Sequence, residues 1–274
     1  MPAVAGPRAH RVSIITIAFL AAFVIGVLVL IAADVFYRAP DVMLEAVLAA
    51  LRSPEIRHAV RLSLITSAIT LLLVIGVSTP VGYALSRYRF PGSVVLDAIV
   101  DLPIVLPPVV VGVSLLVFFR TAVGQWIESV PGLQFVYTPQ GIVLCQFVMS
   151  ASYGIRASKA AFDSVDRRLE SLALTLGCTH GQALRWVALP MARGGLAAGA
   201  VMAWARAVGV FGPLMIFAGA VRMKTEVMPT AVYLELSIGR VEPALAVSML
   251  MLAIAMVALV LIHALGQAYR WWGV

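Results

Sequence analysis

Residues 156–190 read RASKAAFDSVDRRLESLALTLGCTHGQALRWVALP and form a 35-residue polar segment between two strongly apolar stretches. The stretch that leads into it (141–160) and the stretch that follows it (195–218) are each long enough to cross a bilayer. Because so much charged, helix-forming sequence lies between two membrane-crossing stretches, we expect it to fold on one membrane surface. There it would offer a docking surface to a soluble partner.

The composition indicates an integral membrane protein. The chain has 274 residues, of which 62% are hydrophobic and only 12% are charged, whereas soluble domains carry roughly a quarter charged residues. Apolar residues occur in runs of about 20, which is typical of transmembrane helices. Since lipid cannot satisfy free backbone groups, we predict an all-α membrane protein. The net charge of +7 is spread over the loops between these runs, which argues against a nucleic-acid partner.

Six transmembrane helices are predicted, within one transmembrane domain (12–274) that follows a short cytoplasmic tail (1–11). Their ranges are about 12–35, 59–85, 94–119, 141–160, 195–218 and 243–265. A cleavable signal peptide is the alternative for the first range. Eleven basic residues fall on the side of the polar segment and eight on the other, with Arg206 set aside as intramembrane. The positive-inside rule then places both termini in the cytoplasm.

The polar segment has internal structure. Leu169, Leu172, Ala173 and Leu176 are spaced as on one face of a helix, and Gly177 ends that helix with a sharp turn. A second amphipathic segment runs from residue 182 to Pro190, and proline is suited to the first turn of the next helix.

These residues resemble the EAA loop of permease subunits of ABC importers. Its pattern is EAA, three residues, Gly, nine residues and Ile-x-Leu-Pro; here Ser171-Leu172-Ala173 takes the place of EAA, with Glu170 one position early, and Val187 replaces Ile. The resemblance implies that the loop over about 161–192 couples the protein to an ATPase. The coupling residues it implies are Glu170, Ser171, Leu172, Ala173, Gly177, Val187, Leu189 and Pro190.

The resemblance extends over about residues 55–265. SRYRFPGSVVLDAIVDLPIVLPPVVVG (86–112) and GIVLCQFVMSASYGIRASKAAFDSVDRRLE (141–170) are similar to permeases of the molybdate, tungstate and sulfate importer group. It implies the type I importer permease fold, with six transmembrane helices and a cytoplasmic coupling helix, in a prokaryotic cell membrane. The implied partners are two cytoplasmic ATPase subunits, an external solute-binding protein and a second permease copy. Permeases for a phosphate-like anion, ferric iron or polyamine are alternatives.

We expect ATP to be hydrolysed by another chain. The sequence contains no G-x-x-x-x-G-K-[S/T] phosphate-binding loop. We therefore expect no catalytic residue and no cofactor in this chain, with ATP and Mg²⁺ on the partner subunit. The two cysteines and four histidines lack metal-ligand spacing, so no metal site is predicted.

A candidate translocation path or gate lies in the third predicted span, where Pro103, Pro107 and Pro108 should break the helix. A simple packing kink is the alternative. Asp97 and Asp101 precede the prolines at i and i+4, and for Asp97 a place at the cytoplasmic interface is preferred.

Arg206 lies about 20 Å along the fifth predicted span, a depth at which a charge normally faces a cavity or a partner. Related oxyanion permeases usually carry an acid at the position of Val210, so the hypothesis is that Arg206 adds positive potential to an anion path near Gly209 and Gly212. The alternative is that Arg206 pairs with an acid on another helix.

On the external side, the candidates to meet a binding protein are Arg222, Lys224, Glu226 and Glu235, with a plain solvated loop as the alternative. Two other classes of function are alternatives. A self-sufficient secondary transporter predicts paired interrupted spans, and only one interruption is evident. A membrane enzyme requires converging polar groups near one interface, which the sequence does not show.

Overall fold

The computed structural model describes residues 50–88 and 91–271, together with the isolated positions 19, 20, 22, 23, 25 and 26. Every regular element within these residues is helical, which confirms the all-α prediction. The helices are α1 (Pro54–Arg87), α2 (Ser93–Val105), α3 (Pro108–Arg120), α4 (Ala122–Glu128), α5 (Pro139–Asp163), α6 (Arg167–Thr175), α7 (His180–Ala183), α8 (Leu189–Val208), α9 (Gly212–Phe217), α10 (Met228–Ser237) and α11 (Val241–Trp271), with a π-helical turn (Leu184–Ala188) between α7 and α8. The predicted span over 12–35 lies almost entirely outside the described residues.

Among the described residues, three helices are long and apolar enough to cross a membrane. They are α1, the continuous helix over 180–208 and the first 22 residues of α11. The pair α2 and α3 makes a fourth crossing if it is counted as one broken span. Helix α5 has 25 residues and occupies the place of the predicted fourth span, but many of its residues are polar and buried.

The third predicted span is broken into two helices. Helices α2 and α3 meet at an angle of 110° across Leu106 and Pro107. Neither Pro107 nor Pro108 has a backbone N–H, so the helical hydrogen-bond ladder cannot continue through them. Pro103 lies inside α2.

The fifth predicted span is also broken, which the sequence reasoning did not anticipate. Helix α8 ends at Val208, and α9 starts at Gly212 after a short non-helical stretch. Gly209 lowers the preference for helix here. Pro213 lacks the N–H that would bond to the carbonyl of Gly209.

The polar segment folds as the end of α5, then α6, a turn and a helix that continues into α8. A capping box between Thr179 and Gln182 starts the second helix. The sequence predicts a boundary at Pro190, whereas the structure shows no interruption there. In the π-helical turn the N–H of Leu189 bonds to the carbonyl of Leu184, and this wider turn accommodates a proline that would otherwise clash with the preceding helical turn.

The centre of the bundle is the contact of α1 with α5, which is extended by α8. Small residues allow the backbones to approach closely, as in other membrane helix pairs. A β-carbon added at Gly82 would lie 2.6 Å from Cβ of Ser158 and 2.8 Å from the backbone N of Lys159. Buried hydroxyl and amide groups bond across the helices, for example Thr70 Oγ1 to Gln146 Oε1 at 3.1 Å.

Replacing Gly82 by alanine should therefore destabilise the bundle, because the added methyl group meets backbone of α5 and the helices must move apart. We expect a loss of about 1–3 kcal/mol in the free energy of unfolding, measured as a lower thermal midpoint in detergent.

Gly76→Ala is the matched control, since it lies on the same helix with nothing within 4 Å of the added carbon. Equal midpoints for the two variants would contradict this packing.

Candidate functional site

The polar segment presents an apolar ridge to its surroundings. Leu172, Leu176 and Trp186 expose 60%, 85% and 61% of their surface. The opposite side of the same segment is formed by Ala173, Ala183 and Ala188, which are buried. Exposed large hydrophobic side chains next to polar ones are typical of a protein–protein contact. Residues 164–190 form the coupling segment.

The turn of the coupling segment depends on Gly177. Its φ of +93° lies in the left-handed region that favours glycine. The N–H groups of Gly177 and Cys178 bond back to the carbonyls of Leu174 and Ala173, both at 3.0 Å, and so close the end of α6. The turn is therefore fixed by backbone geometry.

The predicted coupling residues lie on different sides of the segment. Ser171, Leu172, Gly177 and Pro190 are exposed, while Val187 and Leu189 are half-buried and Ala173 is buried. Glu170 is buried and points into the bundle, where it pairs with Arg87 at 2.6 Å. The structure thus separates Glu170 from the exposed ridge. Sequence reasoning missed Arg87 as its partner, because the pair joins residues 83 positions apart.

Helix α2 is attached to α5 by a charged cluster. Arg156 Nη1 donates to Asp97 Oδ1 at 2.8 Å and Arg156 Nε donates to Asp101 Oδ1 at 2.5 Å. Lys159 Nζ lies 3.5 Å from the same oxygen of Asp97. The i, i+4 spacing of the two aspartates indicates that they share one helix face. The structure shows that both bind the same cation, Arg156. The first half of the broken third span is therefore held to α5 by charge.

The two helix breaks meet each other. Gly112 of α3 lies so close to α9 that an added β-carbon would be 2.8 Å from Cα of Pro213. A β-carbon at Gly212 would lie 3.5 Å from Cβ of Pro108. Non-helical backbone at membrane depth is tolerated only where protein or water covers it. The contact between the breaks makes this region a candidate for the translocation path.

Arg206 lies in the last turn of α8, just before the break at Gly209. It takes part in none of the ion pairs found within residues 50–88 and 91–271. Its Nε is buried without a hydrogen-bond partner. The guanidinium carbon lies 5.6 Å from the ring centroid of Tyr153, so the aromatic face provides part of its stabilisation. The described residues thus provide no carboxylate partner for this cation.

The external candidates are arranged differently from the prediction. Glu226 and Glu235 are 1% and 3% exposed, so neither is available to a partner on the surface. Arg222 Nη2 bonds to Glu235 Oε1 at 2.7 Å. Burial raises the pKa of Glu226. Of the four candidates, Lys224 remains exposed, and the bond between Arg222 and Glu235 joins the connection between α9 and α10 to α10 itself.

Comparison with known proteins identifies the family of this chain. The family model for the inner membrane component of binding-protein-dependent transport systems matches residues 75–271. The chain belongs to this family. The match covers the broken spans, the coupling segment and α11, and so includes every candidate site described above.

Two relatives illustrate the resemblance. The molybdate/tungstate transport system permease protein WtpB of Thermococcus kodakarensis is 37% identical over 174 residues, which is 64% of this chain and 66% of that protein. The molybdenum transport system permease protein ModB of Escherichia coli is 34% identical over 216 residues, which is 78% of this chain and 94% of that protein.

Solved structures share the fold at lower identity. A bacterial ABC transporter that imports the acidic polysaccharide alginate superposes with a TM-score of 0.71 at 20% identity, over 97% of this chain and 99% of that one. The inward-facing methionine transporter MetNI gives a TM-score of 0.55 at 20% identity, over 76% of this chain and 94% of that one. The fold is therefore that of the ABC importer permeases.

Proposed function

We propose that this chain forms the translocation path of an ABC importer for a small oxyanion of the molybdate and tungstate type. The observation that carries the proposal is the exposed apolar ridge on a coupling segment that is built into a bundle with two contacting helix breaks. The ridge provides a contact for a driving subunit, and the breaks provide a place where the bundle can open.

A separate ATPase subunit would supply the energy. The exposed side chains of Leu172, Leu176 and Trp186 provide apolar contact surface, and such large apolar side chains contribute strongly to protein–protein affinity. ATP and Mg²⁺ would bind to that subunit, and this chain would bind no cofactor of its own. Closure of two ATPase subunits would move the coupling segments, and the spans would then switch between inward-facing and outward-facing arrangements.

The solute class is supported by the relatives and by Arg206. The relatives WtpB and ModB are permease proteins of a molybdate/tungstate and a molybdenum transport system. A cation without a carboxylate partner beside the break at Gly209 suits a divalent oxyanion. Sulfate has the same tetrahedral shape and charge and is the closest competitor. A phosphate-like anion, ferric iron or a polyamine would be less compatible with this cation or with the relatives.

The assembly would follow the family pattern. We place the chain in the cell membrane as a multi-pass protein, with both termini and the coupling segment in the cytoplasm. An external solute-binding protein would deliver the anion to the opposite face, where Lys224 is exposed. A second permease copy would complete the path.

Purification of the ATPase subunit with the permease tests the ridge. Substituting Leu176→Ser together with Trp186→Ala removes most of the apolar anchor, so we expect at least about a tenfold loss of co-purified ATPase. Trp126→Ala is the matched control, because Trp126 is 71% exposed on α4, outside the segment. If the double variant retains as much ATPase as the control, the ridge is not the docking surface.

Uptake of radioactive molybdate into proteoliposomes tests the path. With ATPase and binding protein present, Arg206→Ala should lower uptake about tenfold, because the anion loses a cation in a poorly solvated position. Arg206→Lys keeps the charge and should retain most of the activity, and Arg193→Ala, an exposed arginine at the other end of α8, should change little.

Unchanged uptake by a well-folded Arg206→Ala variant would remove Arg206 from the path. Competition with excess sulfate, phosphate or spermidine in the same assay would assign the solute. Efficient competition by spermidine would contradict an anion path.

A further inference from the structure

The side chain of Glu170 is held on both of its carboxylate oxygens. Oε1 accepts from Arg87 Nε at 2.7 Å and lies 2.6 Å from Arg87 Nη2. Oε2 accepts from the hydroxyl of Tyr83 at 2.7 Å. The Arg87 and Glu170 side chains are only 8% and 11% exposed. A charged pair that is buried and bonded in this way has a defined geometry.

The same end of α1 is bonded to the last residue of α5, to the connection that follows and to the first residue of α6. Arg87 Nη2 also donates to the carbonyl of Val165 at 3.1 Å. Ser86 Oγ donates to Asp163 Oδ1, the last residue of α5, at 2.6 Å. Arg167, the first residue of α6, donates to the carbonyl of Ser86. The coupling segment is therefore joined to α1 at its very beginning.

Packing beneath these bonds continues into the bundle. The ring of Tyr83 stands edge-on to Phe162, with centroids 5.2 Å apart, and Phe162 is fully buried. Val165 is buried with Phe162 and Ala188 in one apolar cluster. Hence a displacement of α6 cannot leave Arg87 and Tyr83 behind unless the buried ion pair opens.

Solvation explains why the pair would stay closed. Removing a carboxylate and a guanidinium from water costs free energy, which is recovered only while both remain paired and bonded. If the pair opened, each charge would be left partly desolvated. An ion pair in such a site is strongly directional and tolerates little sliding.

We infer that Glu170 is a positioning residue that joins the coupling segment to α1 and transmits its movement to the membrane helices. This role rests on the proposed function and adds to it, because it separates docking from transmission. Leu172, Leu176 and Trp186 face outward and dock the ATPase, whereas Glu170 faces inward and binds Arg87 and Tyr83. Without the pair, the bonds of Ser86 to Asp163 and Arg167 remain at the start of the segment, so α6 can follow the ATPase with a smaller displacement of α1.

The decisive variants act on the pair and keep the ridge intact. Glu170→Gln and Arg87→Gln each break it, and Glu170→Arg combined with Arg87→Glu restores it with the charges exchanged. Tyr83→Phe removes a single hydrogen bond to Glu170 and keeps the ring. If the charge variants fold poorly, this variant still tests the attachment, with a smaller expected loss of uptake. Arg168→Gln is the matched control, because Arg168 is exposed on the same helix.

Three readouts are compared in the assembled complex: co-purified ATPase, ATP hydrolysis and molybdate uptake. For each single variant we expect normal co-purification, hydrolysis within about twofold of the parent and uptake reduced about tenfold. The exchanged pair should recover uptake to within about threefold of the parent.

Two results in the assembled complex would overturn the inference. One is loss of the ATPase from the single variants, which would make Glu170 a docking residue. The other is equal uptake defects in the single and exchanged variants, since a general packing defect is not repaired by exchanging charges.

A measurement on the permease alone separates this inference from the proposed function. Cys178 is partly exposed in the coupling segment, whereas Cys145 is buried, so maleimide labelling in detergent reports on the segment. Opening the pair should raise the labelling rate of Cys178 about fivefold, and the exchanged pair should reverse the increase. If the ATPase never binds even the parent chain but labelling behaves in this way, the proposed function fails, whereas the attachment of the coupling segment to α1 by Glu170 and Arg87 is supported. Unchanged labelling would rule out that attachment.

Discussion

Helices α1 and α5 approach each other so closely at Gly82 and Gly154 that a β-carbon at either position would meet the opposite helix at 2.6 Å or less. Lipid is as apolar as the side chains, so helices in a membrane associate mainly through close packing. Small residues on both helices make this close contact possible. Buried hydroxyl and amide groups, such as those of Thr70 and Gln146, then bond across it. The result is a stiff pair to which the other functional parts are attached.

Each functional part is held to this pair in a different way. The first half of the broken third span is held to α5 by Arg156 and two aspartates. The coupling segment is held to α1 by the buried pair of Glu170 and Arg87. The two helix breaks, in contrast, rest on each other through Gly112 and Pro213. A closely packed helix pair, with a charged attachment at one end and interrupted helices beside it, suits an importer in which a separate ATPase subunit moves the membrane helices.

The sequence predicted the parts that depend on local chemistry. Apolar runs identified helices α1 and α11, prolines identified the break at Pro107, and the Gly177 turn identified the coupling segment. The resemblance to importer permeases was confirmed by the family match over residues 75–271. What it missed depends on contacts between residues far apart in the chain. Glu170 was assigned to the coupling surface because its position near the EAA pattern was visible, whereas its pairing with Arg87 was not. Glu226 and Glu235 were placed among solvent-facing candidates because charged residues in a connection usually face water.

Movement of the coupling segment and α1 as one body, when the ATPase binds ATP, is tested by the distance between spin labels at positions 168 and 72. Arg168 and Leu72 are both exposed, and Arg168 is not one of the three ridge residues that dock the ATPase. The labels are introduced in a variant without Cys145 and Cys178, and the complex is measured with and without trapped ATP. We expect a distance that stays constant to within about 2 Å while the complex switches between its two states. A change of about 5 Å, equal to one helical turn, would contradict it.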